Sequence, residues 1–261
     1  MSSSRRLRDA VAVAGFALFF VLLVPPLASW ARRYEFVQAI QFCGFAVVVP
    51  ALVVAGAPWR RLGLSTGPEP VVSADGVVAA GGGWIDRRWA RRLGRTGHVR
   101  AVTAGLVAAG LVILWRSAPV VDLLVRDPWL EVVEAVTLVG AGIALWVDLI
   151  ESPPLRPATT RPYRIGLAAV SMWVVWVVAY FNGMSHSSWY GAFHHVAGHG
   201  LSLMADQQFT AGVMWLLSAS AFIPVVFWNL VHWLASEDDP DEELHRLVRD
   251  ERTRGFHRPT T

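Results

Sequence analysis

Six long apolar runs limit what this chain can fold into more than any other feature. They lie at roughly 9–30, 36–57, 99–115, 130–150, 163–181 and 210–235. A helix needs about 20 mostly apolar residues to cross the hydrocarbon core of a bilayer. In that medium the backbone must satisfy its own N–H and C=O groups, so runs of this kind read as helices. The sequence therefore predicts an all-α, polytopic membrane helix bundle with about six transmembrane helices. Composition agrees, since 54% of the 261 residues are hydrophobic and 13 are Trp. The first run follows Arg5, Arg6 and Arg8, as a signal peptide would. Ala28-Ser29-Trp30-Ala31 is a poor cleavage site, so a retained span is the preferred reading.

Arginine sets the expected orientation. All 23 basic residues are Arg. If six helices alternate from a cytoplasmic N-terminus, 19 Arg fall on the inner side. Four remain outside: Arg32, Arg33, Arg116 and Arg126. Basic residues concentrate on the cytoplasmic side of membrane proteins, so the chain is expected to be N-in and C-in. The same arginines account for the basic balance through contact with anionic lipid. The expected partner is thus the lipid bilayer, and no nucleic-acid-binding pattern is present.

Residues 1–235 are expected to form one transmembrane helix-bundle domain. It includes a cytoplasmic loop, 58–98, and an extracytoplasmic loop, 182–209. Residues 236–261 form a charged cytoplasmic tail. Within the first loop, 63–83 is rich in Gly, Pro and Val and reads as a short hairpin. Residues 84–98 carry five Arg and two Trp, the pattern of an interfacial helix. Ser236, ahead of Glu237 to Asp239, reads as the cap of a solvated tail helix. Cys43 is the only cysteine, so no disulfide within the chain is possible.

The chemistry concentrates between Asn182 and Trp215. His186, His194, His195 and His199 fall here, half of the chain's eight histidines. Met184 and Met204 add thioethers, and Asp206 adds a carboxylate. Imidazole and thioether ligands gathered at a membrane surface point to copper. His195 and His199 are four apart, which on a helix would put both on one face. Gly191, Gly198 and Gly200 argue against a continuous helix there. The plainer reading is a solvated loop, with Asp206 capping the last helix. A second polar group flanks the outer mouth: Glu35, Gln38, Gln41, Arg116, Asp122, Glu131 and Glu134. Charge pairing at helix ends is the plain reading, with Glu131 and Glu134 as partners for Arg116.

Several function classes are excluded. No nucleophile motif or acid–base set is present, so the chain is not expected to be an enzyme. Gly81-Gly82-Gly83 lacks the Lys-Ser/Thr that phosphate binding requires. Haem would want paired histidines inside spans, and only His232 lies in one. A transporter would show broken helices with charges at mid-membrane.

Three segments carry a family resemblance. The first is the apolar run Val47-Val48-Val49-Pro50 through Gly56-Ala57-Pro58. The second is Leu114-Trp115-Arg116-Ser117-Ala118-Pro119, followed by Glu134 and Trp146. The third and most specific is Asp206-Gln207-Gln208, then Ala211-Gly212 and Met214-Trp215. In order and spacing the chain resembles the polytopic CtaG family of cytochrome c oxidase assembly proteins, over about residues 9–235. The resemblance implies a multi-pass protein of a bacterial cell membrane. It further implies a chaperone-like role in respiratory-chain assembly, with oxidase subunits as partners and copper as cargo.

The departures are as informative as the matches. The family's embedded histidines correspond to Gln38, Phe42, Arg116 and Ala135 of this chain. Phe and Ala bind no metal, and Arg stays charged. Only Asp206, Gln207, Met214 and Trp215 transfer cleanly. Two readings stay open. In one, the chain assists copper supply or insertion for a haem–copper oxidase on the extracytoplasmic face, using His186, His194, His195, His199, Met184, Met204 and Asp206. In the other it is a metal-free membrane scaffold.

Overall fold

A computed structural model describes residues 3–60, 72–73, 76–77, 97–153, 155, 157, 159–195 and 200–237. The fold is a helix bundle. Its elements are α1 (Ser3–Leu23), α2 (Leu27–Ala31), α3 (Glu35–Cys43), a π-helical turn (Gly44–Val48) and α4 (Val49–Gly56). There follow α5 (Gly97–Trp115), α6 (Ala118–Arg126), α7 (Pro128–Leu149), α8 (Arg161–Met184) and α9 (Leu203–Glu237). Within the loop after α4, Val72–Ser73 pairs antiparallel with Gly76–Val77, inside the expected hairpin.

Five helical stretches are long and apolar enough to cross a membrane: Glu35–Gly56, His98–Trp115, Pro128–Leu149, Arg161–Met184 and Leu203–Ala235. They match the second to sixth apolar runs. The first run, expected as one helix over 9–30, is divided. Its helix starts at Ser3 and stops at Leu23, ahead of Pro25 and Pro26, and a short α2 follows. Adjacent prolines supply no N–H to continue the ladder, which is why the helix ends there.

The second run is the centre of the bundle. In its apolar window 67% of residues are buried, against 17–39% in the other four stretches. Small residues let neighbours approach it closely. A Cβ on Gly56 would come within 2.4 Å of the Ala12 backbone nitrogen. One on Gly142 of α7 would come within 2.4 Å of Pro50 Cγ. Along α1, Ala12 meets Gly56, Gly15 meets Val53, and Leu22 meets Gly44, so α1 runs antiparallel to the central helix. Close backbone approach at small residues is how helices associate in lipid, where the hydrophobic effect between helices is absent.

Pro50 also shapes the central helix. It offers no N–H to the Ala46 carbonyl, and its ring crowds that carbonyl. The backbone ahead of it widens into the π turn Gly44–Val48. The helix ends at Ala57, which takes the left-handed conformation (φ 49°) and donates its N–H to Val53 and Val54. Around the centre pack Phe42, Phe45, Trp115, Leu138 and Met214. A second cluster holds Trp146 stacked on Phe222 at 5.1 Å.

The sixth span is longer than expected. α9 begins at Leu203 and continues through Ser236 to Glu237. Ser236 therefore lies inside this helix, and the tail helix it was expected to cap falls outside the described residues. Segment 84–96 and the chain beyond 237 lie outside the described residues.

Candidate functional site

Polar side chains gather at one end of the bundle, although each comes from a mostly apolar helix. Glu35, Gln38, Gln41, Arg116, Glu131, Glu134, Asn182, Asp206, Gln207 and Thr210 are all buried there. Buried polar groups require partners, and the pairings explain most of the sequence features.

Asp206 stands at the centre of the first pairing. Helix α3 starts at Glu35 after Tyr34, which provides no side-chain cap. Its free amides are met from across the bundle: Glu35 N and Phe36 N each donate to an Asp206 carboxylate oxygen at 2.9 Å. A carboxylate at a helix N-terminus satisfies both the orphan N–H groups and the helix dipole. Asp206 thus caps the central helix, not its own. The cap of α9 is Ser202, whose hydroxyl accepts from Ala205 N at 3.2 Å.

Gln207 follows the same logic. Its amide donates to Asn182 O and accepts from Trp189 N at 3.1 Å, which ties the loop after α8 to α9. Asn182 in turn donates to Glu35 Oε1 at 3.0 Å. Met214 is fully buried against the central helix. Trp215 stacks on Trp176 at 5.3 Å on the outer surface. The four residues of the most specific motif are therefore assembly points of the bundle. Gln208 is exposed.

Arg116 is the second focus. It is 2% exposed at the end of α5. Its Nη1 donates to Gln38 Oε1. Its guanidinium lies 5.5 Å from the Phe42 ring centroid and 5.0 Å from that of Tyr190. A cation over aromatic faces is attracted by the ring quadrupole, most strongly when desolvated. Tyr190 closes the arrangement by donating its hydroxyl to Arg116 O at 3.1 Å. Burial pushes the Tyr190 phenol above its ordinary value of 10.0.

The expected pairing of Arg116 with Glu131 is not what forms. Glu131 pairs with Arg32 at 3.2 Å and accepts from Gln41. Arg32 lies in the connection before α3 and reaches the start of α7, so it takes the partner that the sequence assigns to Arg116. Glu134 is fully buried, and neither carboxylate oxygen has a hydrogen-bond partner among the described residues. The same holds for Arg116 Nε and Nη2 and for Gln38 Nε2.

Three of the four substituted histidine positions, Gln38, Phe42 and Arg116, touch one another. The fourth, Ala135, lies in the same buried cluster as Phe42. An amide, a phenyl ring, a methyl and a permanent cation do not form a copper-binding set. A fixed positive charge would also oppose a metal cation at that place.

A short cover lies over this end. In the loop after α8, residues Gly191–His195 form a 3₁₀ turn. It is fastened to α6 by Ala192 N donating to Asp122 Oδ1 at 2.8 Å, and by Val121, Tyr190 and Phe193 packing together. Neither α6 nor the anchoring role of Tyr190 and Asn182 was expected from the sequence. The short amphipathic pattern of 118–126, with Val121 and Leu124 inward, is the signal that could have revealed α6.

The proposed metal ligands that are described do not form a group, and the His195 side chain lies outside the described residues. His186 and His194 are exposed, as are Met184 and Met204. Asp206 is buried and engaged by the α3 amides. His199 lies outside the described residues. Among the described residues, no three His, Cys, Asp or Glu side chains are grouped to hold a metal ion.

The opposite end is held differently. Arg100 pairs with Asp148, the Ser152 hydroxyl donates to Val54 O, and Asn229 donates to Leu149 O at 3.4 Å. Arg164 lies 3.5 Å from Glu151.

Five helices apolar and long enough to span, one of them buried at the centre, with a polar cluster at one end, define a multi-pass membrane protein. Within that class, the chain belongs to the Caa3_CtaG family of cytochrome c oxidase caa3 assembly factors, whose family model matches residues 2–236. No curated protein and no solved structure matches it.

Proposed function

We propose that the chain serves cytochrome c oxidase assembly as a membrane scaffold whose polar end, on the extracytoplasmic side, does not use copper. Family membership supports the oxidase role. The arginine distribution supports the side. The observation that carries the metal-free reading is the Arg116 guanidinium seated among Gln38, Phe42 and Tyr190. This cation stands at one of the four positions where the resemblance expects imidazoles and lies against two of the others. The scaffold would bind an oxidase subunit before or during its maturation. Co-purification of oxidase subunits with the tagged chain from copper-starved cells is the expected result. Full recovery of oxidase activity in a deletion strain by added copper alone would sink the idea.

A second reading rests on the cover. Its 3₁₀ turn is anchored to α6 and presents His194 to solvent at the same end. The loop histidines would then pass copper as cargo, separately from the embedded cluster. Copper titration of the purified protein against a His194→Ala/His195→Ala/His199→Ala variant decides this. Equal, weak binding by both removes the loop from consideration.

A further inference from the structure

The end opposite the polar cluster holds a cavity of about 330 Å³ that none of the foregoing uses. It is lined by Arg8 of α1, Arg161 and Arg164 at the start of α8, Glu151 before them, and Trp228 and Asn229 of α9. Among the described lining residues, three arginines stand against one carboxylate. Glu151 is 62% exposed and only loosely engaged, at 3.9 Å from Arg161 and 3.5 Å from Arg164. Arg164 is held in place by donating its Nε–H to Thr159 O at 3.0 Å. Asp148, the nearest other acid on α7, is already paired with Arg100. Thr160, the cap of α8, makes no side-chain bond to the first amides of that helix, so their partial positive charge adds to the same end.

We infer that this cavity binds the phosphate of an anionic phospholipid headgroup. Guanidinium forks match phosphate oxygens bidentately, and several arginines converging on one concave space select a phosphate. Depth favours a lipid as its source. Arg161 is the first residue of a membrane-spanning stretch, and Trp228, 63% exposed, lies on the outside of α9 at the same level. Amphipathic rings and arginines at span ends mark the headgroup layer. Basic pockets between spanning helices are the usual form of such sites. A bound headgroup would bridge α1, α8 and α9.

The test uses the full-length protein in a neutral detergent. Thermal unfolding is followed while phosphatidylglycerol, phosphatidylcholine or inorganic phosphate is titrated. Stabilisation by phosphatidylglycerol and not by phosphatidylcholine is expected. In an Arg8→Gln/Arg161→Gln variant, two exposed or half-exposed positions, the apparent affinity should fall about twenty-fivefold, at roughly fivefold per arginine. Inorganic phosphate that saturates the same response, and competes with the lipid, would assign the site to free phosphate. An equal response to phosphatidylcholine would overturn the proposal. So would an undiminished response in the double variant. An Arg126→Gln control, an exposed arginine at the other end, should keep wild-type affinity; if it loses as much, the binding is diffuse and the site is not real.

Discussion

At the residue scale, Asp206 and Arg116 do different work with buried charge. Asp206 answers two backbone amides that have no other partner, so its charge is stabilised by the helix it caps. Asp206→Ala is expected to lower stability by about 1–2 kcal/mol, the usual loss for a helix cap, as read by thermal unfolding in detergent. Asp206→Asn should lose less, since an amide oxygen still accepts. Tyr190→Phe removes the bond to Arg116 O and should cost about 1 kcal/mol at neutral pH. The phenol's pKa is raised in the fold, so the folded state holds its proton while the unfolded chain ionises. Its stabilisation is complete below pH 10 and is lost as the pH rises above that value. The phenylalanine variant should show a smaller alkaline decline, and an identical decline would contradict the assignment. Sequence reasoning found Glu35, Gln38, Arg116 and Asp206 as polar residues at helix ends. It could not pair them, because Glu35 and Asp206 are 171 residues apart in the chain.

At the element scale, the central helix is defined by what its neighbours lack. Gly56 admits Ala12 of α1, and Gly142 of α7 admits Pro50. Gly56→Ala and Gly142→Ala should each destabilise by roughly 1–3 kcal/mol, the range for overpacking a tight contact. Gly140→Ala, with open space at its Cβ position, is the control and should be near neutral. The spans were legible because an apolar run of sufficient length has few alternatives in lipid. The break after Leu23 was also written in the sequence, as Pro25-Pro26, but the length of the apolar run outweighed it. Helix α6 was missed because nine residues are too short to register as a span, and its two inward residues gain meaning only from the loop that covers them.

At the scale of the whole molecule, the bundle has two unlike ends. One buries a network of acids, amides and a lone guanidinium; the other carries paired arginines and the basic cavity. This division matches the sides expected from the arginine asymmetry, and cysteine labelling tests the expected N-in orientation. Cys43 is fully buried, so background labelling should be low. A cysteine at Ser187 should react with an impermeant maleimide in intact cells. One at Glu151 should react only after permeabilisation. The reverse pattern would invert the topology and move the polar end to the cytoplasm.

The sequence by itself determined the solvent and the class of fold. Apolar length forces helices, arginine counts give the expected order of the sides, and Asp206-Gln207 with Met214-Trp215 carries the family. These are local or additive properties, readable without knowing which helices touch. Only the tertiary structure decided what the polar residues do. It turned Asp206 toward α3, gave Glu131 to Arg32 in place of Arg116, and gathered Gln38, Phe42 and Arg116 around one buried cation. Those outcomes depend on which helix faces meet. In lipid, close packing at residues such as Gly56 and Gly142 settles that, and hydropathy does not.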